Sequence, residues 1–537
     1  MMSQLPALLV LLPLIAGVLC LLLPGRLLPW LLAQVTTVGV LAVAIGLLYR
    51  VLNEGTITYA FGNWPEQWGI GYRIDSLNIF VILIVAVVGC VSTLYARRSV
   101  EFEIAQDRLN LFYSIWLLAI LGLLGIAATG DVFNVYVLIE VSSLTLYALI
   151  AMGKGRDRRA LTAALRYLIV GSIGASFILL GIGYLLMVTG TLNLVDMAQR
   201  LAALSEPERN RTVVVAFTFL LVGLSVKMAL WPVHMWLPNA YGAAPSAVSA
   251  LVAATATKVG VYMAIRFLFT LFGPDFTFAA ISTEVGQFTF TCSGILLTFA
   301  SLAVLTTGIQ AIRARELKWV LAYSSLGQIG YMVIGLALVN HDGLTGGIIH
   351  LFNHALIKGG LFMAAGCVIY RLGSHRIGDL AGLGKRMPVT AAAIVVGGFG
   401  LIGVPLTAGF VSKWYLVSGA LEAGLWPVAV VLLLGSLLAL VYVWRIVEQM
   451  YFLPPPATAA TAVVREAPLS MLVCTWIMIG GSIVVGVFAT PVIRLASWAA
   501  DEALHGHAML VTPLLGQPAT EPPAVPPAMP ISVEPAP

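Results

Sequence analysis

Charged side chains are scarce in this sequence: 29 Lys and Arg and 24 Asp and Glu make up 10% of 537 residues. A soluble domain carries about 25%. With 60% of residues hydrophobic, a water-soluble globule is excluded and lipid must be the solvent. Cysteine is almost absent, with five residues at 20, 90, 292, 367 and 474. Each lies in an apolar run and no two have CxxC spacing, so neither a disulfide framework nor a metal centre is indicated. Acids are nearly missing from the apolar runs, and no carboxylate cluster resembles a sodium site; Asp131 reads as a helix N-cap. No basic patch suggests nucleic acid, and no cofactor motif occurs. The opening stretch MMSQLPALLVLLPLIAGVLC lacks a basic n-region, so it reads as a first span, not a cleaved leader.

What remains is apolar sequence in long continuous runs. Fourteen segments are legible, at about 5–24, 28–51, 77–97, 111–130, 131–153, 162–189, 213–235, 243–271, 285–311, 317–340, 344–371, 390–419, 424–452 and 469–495. Only helices and closed barrels satisfy their backbone in lipid, and barrel strands would show short alternating segments. The chain is therefore expected to be an all-α polytopic membrane protein with about 14 transmembrane helices. The stretch 52–76 alternates enough to form a hairpin. The tail 513–537 holds nine prolines and is expected to be disordered or extended.

Loop charge sets an expected orientation. With the N-terminus outside, the cytoplasmic loops collect seventeen Lys and Arg, including Lys318 and the cluster GKGRDRRA at 153–160, and the opposite side seven, including Arg266. This bias favours both termini on the outer side of the cell (inner) membrane.

Five basic residues fall within spans: Arg166, Lys227, Lys258, Lys358 and Lys413. Arg166 is near a cytoplasmic end and can snorkel; the other four are deep. A charge at the centre of a bilayer costs at least about 2.5 kcal/mol, and its default explanation is function. A buried amine whose surroundings can change is suited to taking and giving a proton. Glu140, the only glutamate in the middle of a span, is the expected partner of Lys227. His350, His354 and Lys358 recur at intervals of four and share one helix face, beside Asn353. An HxxxH pair also suits zinc, but no third ligand and no catalytic glutamate accompany it. A proton relay fits better, since histidine titrates near neutral pH; core histidines satisfied by carbonyls are the plainer alternative. His234, just after Pro232, is a further candidate.

Pro232 and Pro405 interrupt segments 7 and 12. In transporters, interrupted helices at matching positions of two halves mark the site. Lys227 precedes the first proline by five residues, and Lys413 follows the second by eight. That spacing fits two five-helix repeats: helices 4–8 in 111–271 and helices 9–13 in 285–452, after helices 1–3 in 1–110 and before helix 14 in 469–512. The match is imperfect, since no glutamate occupies the middle of segment 10, where Tyr323 and Gln328 stand.

The stretch KMALWPVHMWLPNAYGAAPSAVSALVAATATKVGVY at 227–262 strongly resembles the signature of the proton-translocating antiporter family. That family includes the D-type component of Mrp-type multisubunit cation/proton antiporters and the antiporter-like subunits of respiratory complex I. GDVFNVYVLIEVSSLTLYALIAMG (130–153), IIHLFNHALIKGGLFMAAG (348–366) and LIGVPLTAGFVSKWYLVSGAL (401–421) resemble its fifth, eleventh and twelfth helices. The resemblance covers roughly residues 75–450. It implies fourteen helices in two inverted five-helix repeats, with helices 7 and 12 interrupted. It also implies roles: Glu140 and Lys227 as the modulating pair, Lys258 as the link between halves, His350, His354 and Lys358 as the continuing axis, and Lys413 as the exit. Some complex I relatives carry glutamate at this last position.

Segments 5 and 12 look most similar to the D-type component of Mrp antiporters; the sequence ends soon after segment 14 without a long lateral helix, which argues against the largest complex I subunit only. The favoured expectation is a proton-conducting subunit of a multisubunit sodium or potassium/proton antiporter, a secondary transporter and not an enzyme. Its partners would be other antiporter subunits, protons and monovalent cations, with no cofactor or metal. The alternative is a non-redox, proton-pumping subunit of complex I or a membrane-bound hydrogenase. A non-conducting scaffold is a third reading.

Overall fold

The computed structural model describes residues 4–65, 69–155, 157–204, 206, 210–285, 288–455 and 465–515. Three helices lead: α1 (Leu5–Leu22), α2 (Leu27–Glu54) and α3 (Ser76–Glu103). Between α2 and α3, strands β1 (Ile57–Ala60) and β2 (Gly71–Ile74) pair antiparallel, Ile57 opposite Ile74 and Ala60 opposite Gly71, as the alternation within 52–76 predicts. Asp75 caps α3, accepting from the backbone N–H of Leu77 and Asn78.

The first five-helix block holds α4 (Leu109–Ala128), α5 (Val132–Ala151), α6 (Arg159–Thr189), a short amphipathic α7 (Leu194–Ala202) in the connection, α8 (Arg211–Lys227) with α9 (Trp236–Ala243), and α10 (Ser246–Ile265). Asp131 caps α5 through the Asn134 N–H at 2.6 Å, the role its position predicts. A π-helical turn, Arg266–Leu271, extends α10. The second block follows a hairpin of β3 (Ser282–Val285) and β4 (Phe288–Thr291). It holds α11 (Cys292–Arg313), α12 (Leu317–Ala337), α13 (His341–Leu372), a single turn α14 (Leu383–Arg386), α15 (Pro388–Ile402) with α16 (Ala408–Glu422), and α17 (Trp426–Tyr451). Helices α18 (Leu469–Val487) and α19 (Thr490–Leu515) close the described chain.

Twelve helices among the described residues are long and apolar enough to cross a bilayer. The interrupted crossings α8/α9 and α15/α16 bring these to the expected fourteen. With five crossings in the first block, the second enters the membrane from the opposite face. Helices α10, α12 and α13 are buried on nearly all sides at the centre, whereas α1, α2, α6 and α17 expose Leu, Ile and Val along one face, as lipid-facing helices do.

Three boundaries differ from the sequence reading. Segment 8 does not begin at 243, because Ala244 and Pro245 separate α9 from α10. Segment 14 stops at Val487, and α19 starts afresh at Thr490. The expected unstructured tail from Pro513 begins inside α19, which runs to Leu515; residues 516–537 lie outside the described residues.

Both breaks have local causes. After Lys227 the backbone turns through Ala229 at φ 56°, and Pro232 has no N–H to continue the helix. The Val226 carbonyl accepts from the Ala229 N–H and from Trp236 Nε1, each at 3.1 Å. After Ile402 the chain turns at Gly403, φ 87°, a conformation that favours glycine. A Cβ there would also lie 2.9 Å from Lys413 Cδ.

Candidate functional site

Lys413 sits in the first turns of α16 and donates to three oxygens: Leu401 O at 2.8 Å, Ile402 O at 3.0 Å and Ser436 Oγ at 2.9 Å. Its ammonium also lies 4.7 Å from the centre of the Tyr331 ring. Tyr331 stacks on His350 at 5.6 Å, and His350 on His354 at 6.0 Å with the rings 10° from parallel. His350 Nδ1 pairs with Ser412 Oγ and Nε2 with Gln328 Oε1, each at 2.9 Å. Both nitrogens are thus engaged away from His354, so the two rings do not converge as a ligand pair. His354 is 1% exposed and neither ring nitrogen has a hydrogen-bond partner. One turn on, Lys358 is fully buried and donates to Leu321 O at 2.9 Å and to Ser324 Oγ at 2.5 Å. Helical spacing alone places His350, His354 and Lys358 on one face of α13, and α12 supplies Gln328 to the first and Leu321 O and Ser324 to the last.

Lys258, also fully buried, lies on α10 between the blocks. It donates to Ala253 O and, at 3.4 Å, to Thr257 Oγ1. Helix α10 packs against α13, which brings Lys258 toward the row from the other block. Lys227 ends α8 and donates to Ser143 Oγ at 2.9 Å. A cavity of about 20 Å³ beside it is lined by Ser142, Ser143, Tyr167, Lys227, Ala256 and Val259, space on the scale of one water. It places Lys227 next to the stretch of α10 that carries Lys258. Gly260 permits this approach, since a Cβ there would lie 3.1 Å from the Met228 backbone.

The expected ion pair between Glu140 and Lys227 is not formed. Lys227 bonds Ser143, one turn further along α5, and Glu140 Oε1 is buried with no hydrogen-bond partner. His234 is buried beyond Pro232 and bonds to no member of the row. Asn353 turns aside to the Ala408 carbonyl at the second break. Arg166 is exposed on α6.

Four buried charges are not singled out by the sequence: Asp75, Arg266, Lys318 and Glu103. Arg266, counted there as a loop residue, is buried in the last turn of the α10 crossing and pairs with Asp75 and Asn78. Lys258, Tyr262 and Arg266 recur every four residues on α10, a spacing that could have revealed it. Lys318, also counted as a loop charge, is 3% exposed and donates to Ala244 O at 2.6 Å. Glu103 lies beyond the apolar run, which ends near residue 97, yet α3 continues to Glu103 and buries it.

At the same end of the bundle, Arg159 pairs with Asp157 at 2.9 Å and with Glu316 at 3.0 Å, and His375 Nε2 lies 2.8 Å from Glu316. Burial raises the proton affinity of the Glu316 carboxyl, but Arg159 and His375 outweigh it and hold the group below its usual range.

Residues 129–439 match the family described as "NADH:quinone oxidoreductase/Mrp antiporter, TM". The chain is 40% identical over 511 residues to NADH-quinone oxidoreductase subunit N of Desulforudis audaxviator, covering 92% of this chain and 97% of that one. It is 33% identical to a putative antiporter subunit, mnhD2, of Staphylococcus epidermidis, covering 76% and 78%. A chain in the structure of the membrane-bound sulfane sulfur reductase, an archaeal respiratory membrane complex, superposes with a TM-score of 0.83 at 30% identity, covering 95% and 99%.

Proposed function

Because the chain belongs to the NADH:quinone oxidoreductase/Mrp antiporter family, we propose that it is the proton-conducting membrane subunit of a multisubunit complex, and that protons move along Glu140, Lys227, Lys258, His350, His354, Lys358 and Lys413. One observation carries this reading. Each of the four lysines of the row has a hydroxyl beside its amine: Ser143 for Lys227, Thr257 for Lys258, Ser324 for Lys358 and Ser436 for Lys413. Among the described residues, none of the four amines forms an ion pair within 4.0 Å. A carboxylate bound to the amine would lock the charge in place. A hydroxyl accepts from an ammonium and donates to a neutral amine, so it serves both protonation states. His354, with both nitrogens free, is suited to accept from either side.

The Glu140–Lys227 separation fits a switch. With the amine on Ser143, the carboxylate acts on it only from a distance. A swing of Lys227 onto Glu140 would strengthen the amine's hold on its proton, and the return would release it toward Lys258. The basic-loop face, holding Arg159 and Glu316, would be cytoplasmic, with both termini outside.

Two memberships are open within the family. Similarity of 40% across 97% of a quinone oxidoreductase subunit N favours a redox-driven complex, in which this subunit would pump protons without carrying redox groups. The wording of segments 5 and 12 and the antiporter relatives favour sodium or potassium/proton exchange. Purification of the native complex separates them: flavin and iron–sulfur subunits accompany the first, and small antiporter subunits with cation-dependent proton movement accompany the second. In either setting, Lys227→Ala in an assembled complex is expected to abolish proton movement. Wild-type movement in that variant would reject conduction by this chain.

A further inference from the structure

Glu103 and Lys318 lie at the basic-loop end of the bundle, beyond the row described above. Glu103 is 8% exposed; Oε1 accepts from Ser99 Oγ at 2.8 Å and Oε2 from the Ser246 N–H at 2.9 Å. Lys318 holds Ala244 O. Ala244 and Ser246 are two residues apart in the α9–α10 joint, so a carboxylate from α3 and an ammonium from α12 grip the same short loop. They form no direct ion pair there among the described residues. The Ser246 hydroxyl is fully buried and has no hydrogen-bond partner. It borders the notch left by Gly366, where a Cβ would lie 3.2 Å from Ser246 Oγ and 2.1 Å from Tyr95 Oη.

A structural role does not require charge here. Ser, Thr and Asn cap a helix N-terminus as well as an acid does, and burying an unpaired charge is costly. Both groups lead inward instead. On α12, Leu321 is one turn beyond Lys318, and its carbonyl, with the Ser324 hydroxyl, accepts from Lys358. On α3, Glu103, Ser99 and Tyr95 recur every four residues, and Tyr95 donates to Met363 O at 2.8 Å, five residues past Lys358 on α13. Outward, Glu316 stands two residues before Lys318 and pairs with Arg159 at 3.0 Å.

We propose that Glu103 and Lys318 form the intake site of the row, drawing protons from the basic-loop face and passing them to Lys358. The inference rests on the relay proposed above. The Glu103 carboxylate takes a proton from hydronium at the basic-loop face, leaving water, and gives it to the neutral Lys318 amine. The resulting ammonium passes one on to the neutral Lys358 amine by way of the Ser324 hydroxyl, and each donor returns to its starting state.

The test uses the intact complex in proteoliposomes, with proton movement read by an internal dye and assembly read on native gels. Glu103→Gln keeps an acceptor for Ser99 and cannot titrate, so proton movement is expected to fall by about 100-fold. Glu103→Asp should keep much of it, a rescue that a mere cap would not need. A wild-type rate in Glu103→Gln together with an inactive Lys358→Met would overturn the intake site and leave the relay standing. Wild-type rates in both would overturn the relay itself. Should Glu103→Gln not assemble, Lys318→Met carries the test: a comparable loss is expected, and an unchanged rate overturns the proposal.

Discussion

The ammonium of Lys413 lies 2.8 Å from the carbonyl oxygen of Leu401, so a lysine on one half-helix of the second break caps the other. The last carbonyls of a helix have no partner within it, and here Leu401 and Ile402 find theirs in the side chain. Three N–H bonds meet three oxygens, the third being Ser436 Oγ. Loss of a proton leaves two donors for the two carbonyls, and the Ser436 hydroxyl can turn to donate to the freed lone pair. The protonation state of Lys413 is thereby tied to the geometry of the break.

Ser436→Ala should separate these effects. The two carbonyls keep their donors, but the neutral amine loses its only hydroxyl partner. Proton movement is expected to slow by about tenfold, the equivalent of about 1.4 kcal/mol, with the complex assembled. Lys413→Met should both abolish movement and lower stability by about 1–3 kcal/mol, read as a drop in detergent melting temperature.

Gly409 is a packing prediction. A Cβ there would lie 2.0 Å from the Gly400 carbonyl oxygen, backbone against backbone across the break. Gly409→Ala is expected to destabilise the chain by about 1–3 kcal/mol and to weaken proton movement through displacement of Lys413. The melting temperature and the transport rate check the two halves of the prediction.

Arg266 and Asp75 are a buried ion pair at the far end of α10. Removing one partner strands the other, at about 3–5 kcal/mol. Arg266→Met is expected to reduce assembled protein sharply, and Arg266→Met combined with Asp75→Asn to recover part of it. Native gels across the double-mutant cycle measure the coupling.

Glu316 provides a pH dependence outside the spans. Its folded-state proton affinity is lowered by Arg159 and His375 against the opposing effect of burial. A depressed carboxyl contributes stability above its unfolded pKa, about 4.3, and loses it as pH falls through the folded value. The melting-temperature gap between wild type and Arg159→Gln is therefore expected to be full near pH 6 and to close below about pH 4.

Much of this was legible in the sequence because oil punishes charge. Lys227, Lys258, Lys358 and Lys413 stood out from apolar runs, and the spacing of four placed His350, His354 and Lys358 on one face. Pro232 and Pro405 located the breaks. The partners were not legible. Glu140 looked like the natural mate of Lys227 because opposite charges attract, yet Ser143 takes the amine; hydroxyls are too common in the sequence to signal such a role. Glu103, Lys318 and Arg266 sit at helix ends, where loop charge and buried charge read alike until neighbouring helices are seen to cover them. The start of α19 was missed because apolar composition continues across residues 488–490, where the helix stops.

Lys258 joins the two blocks, so its substitution bears most directly on conduction through the row. The measurement is proton movement by the purified complex in proteoliposomes carrying Lys258→Met, with assembly confirmed on native gels. The expected result is a loss of about 100-fold or more in an intact complex. Wild-type proton movement with that amine gone would contradict the relay.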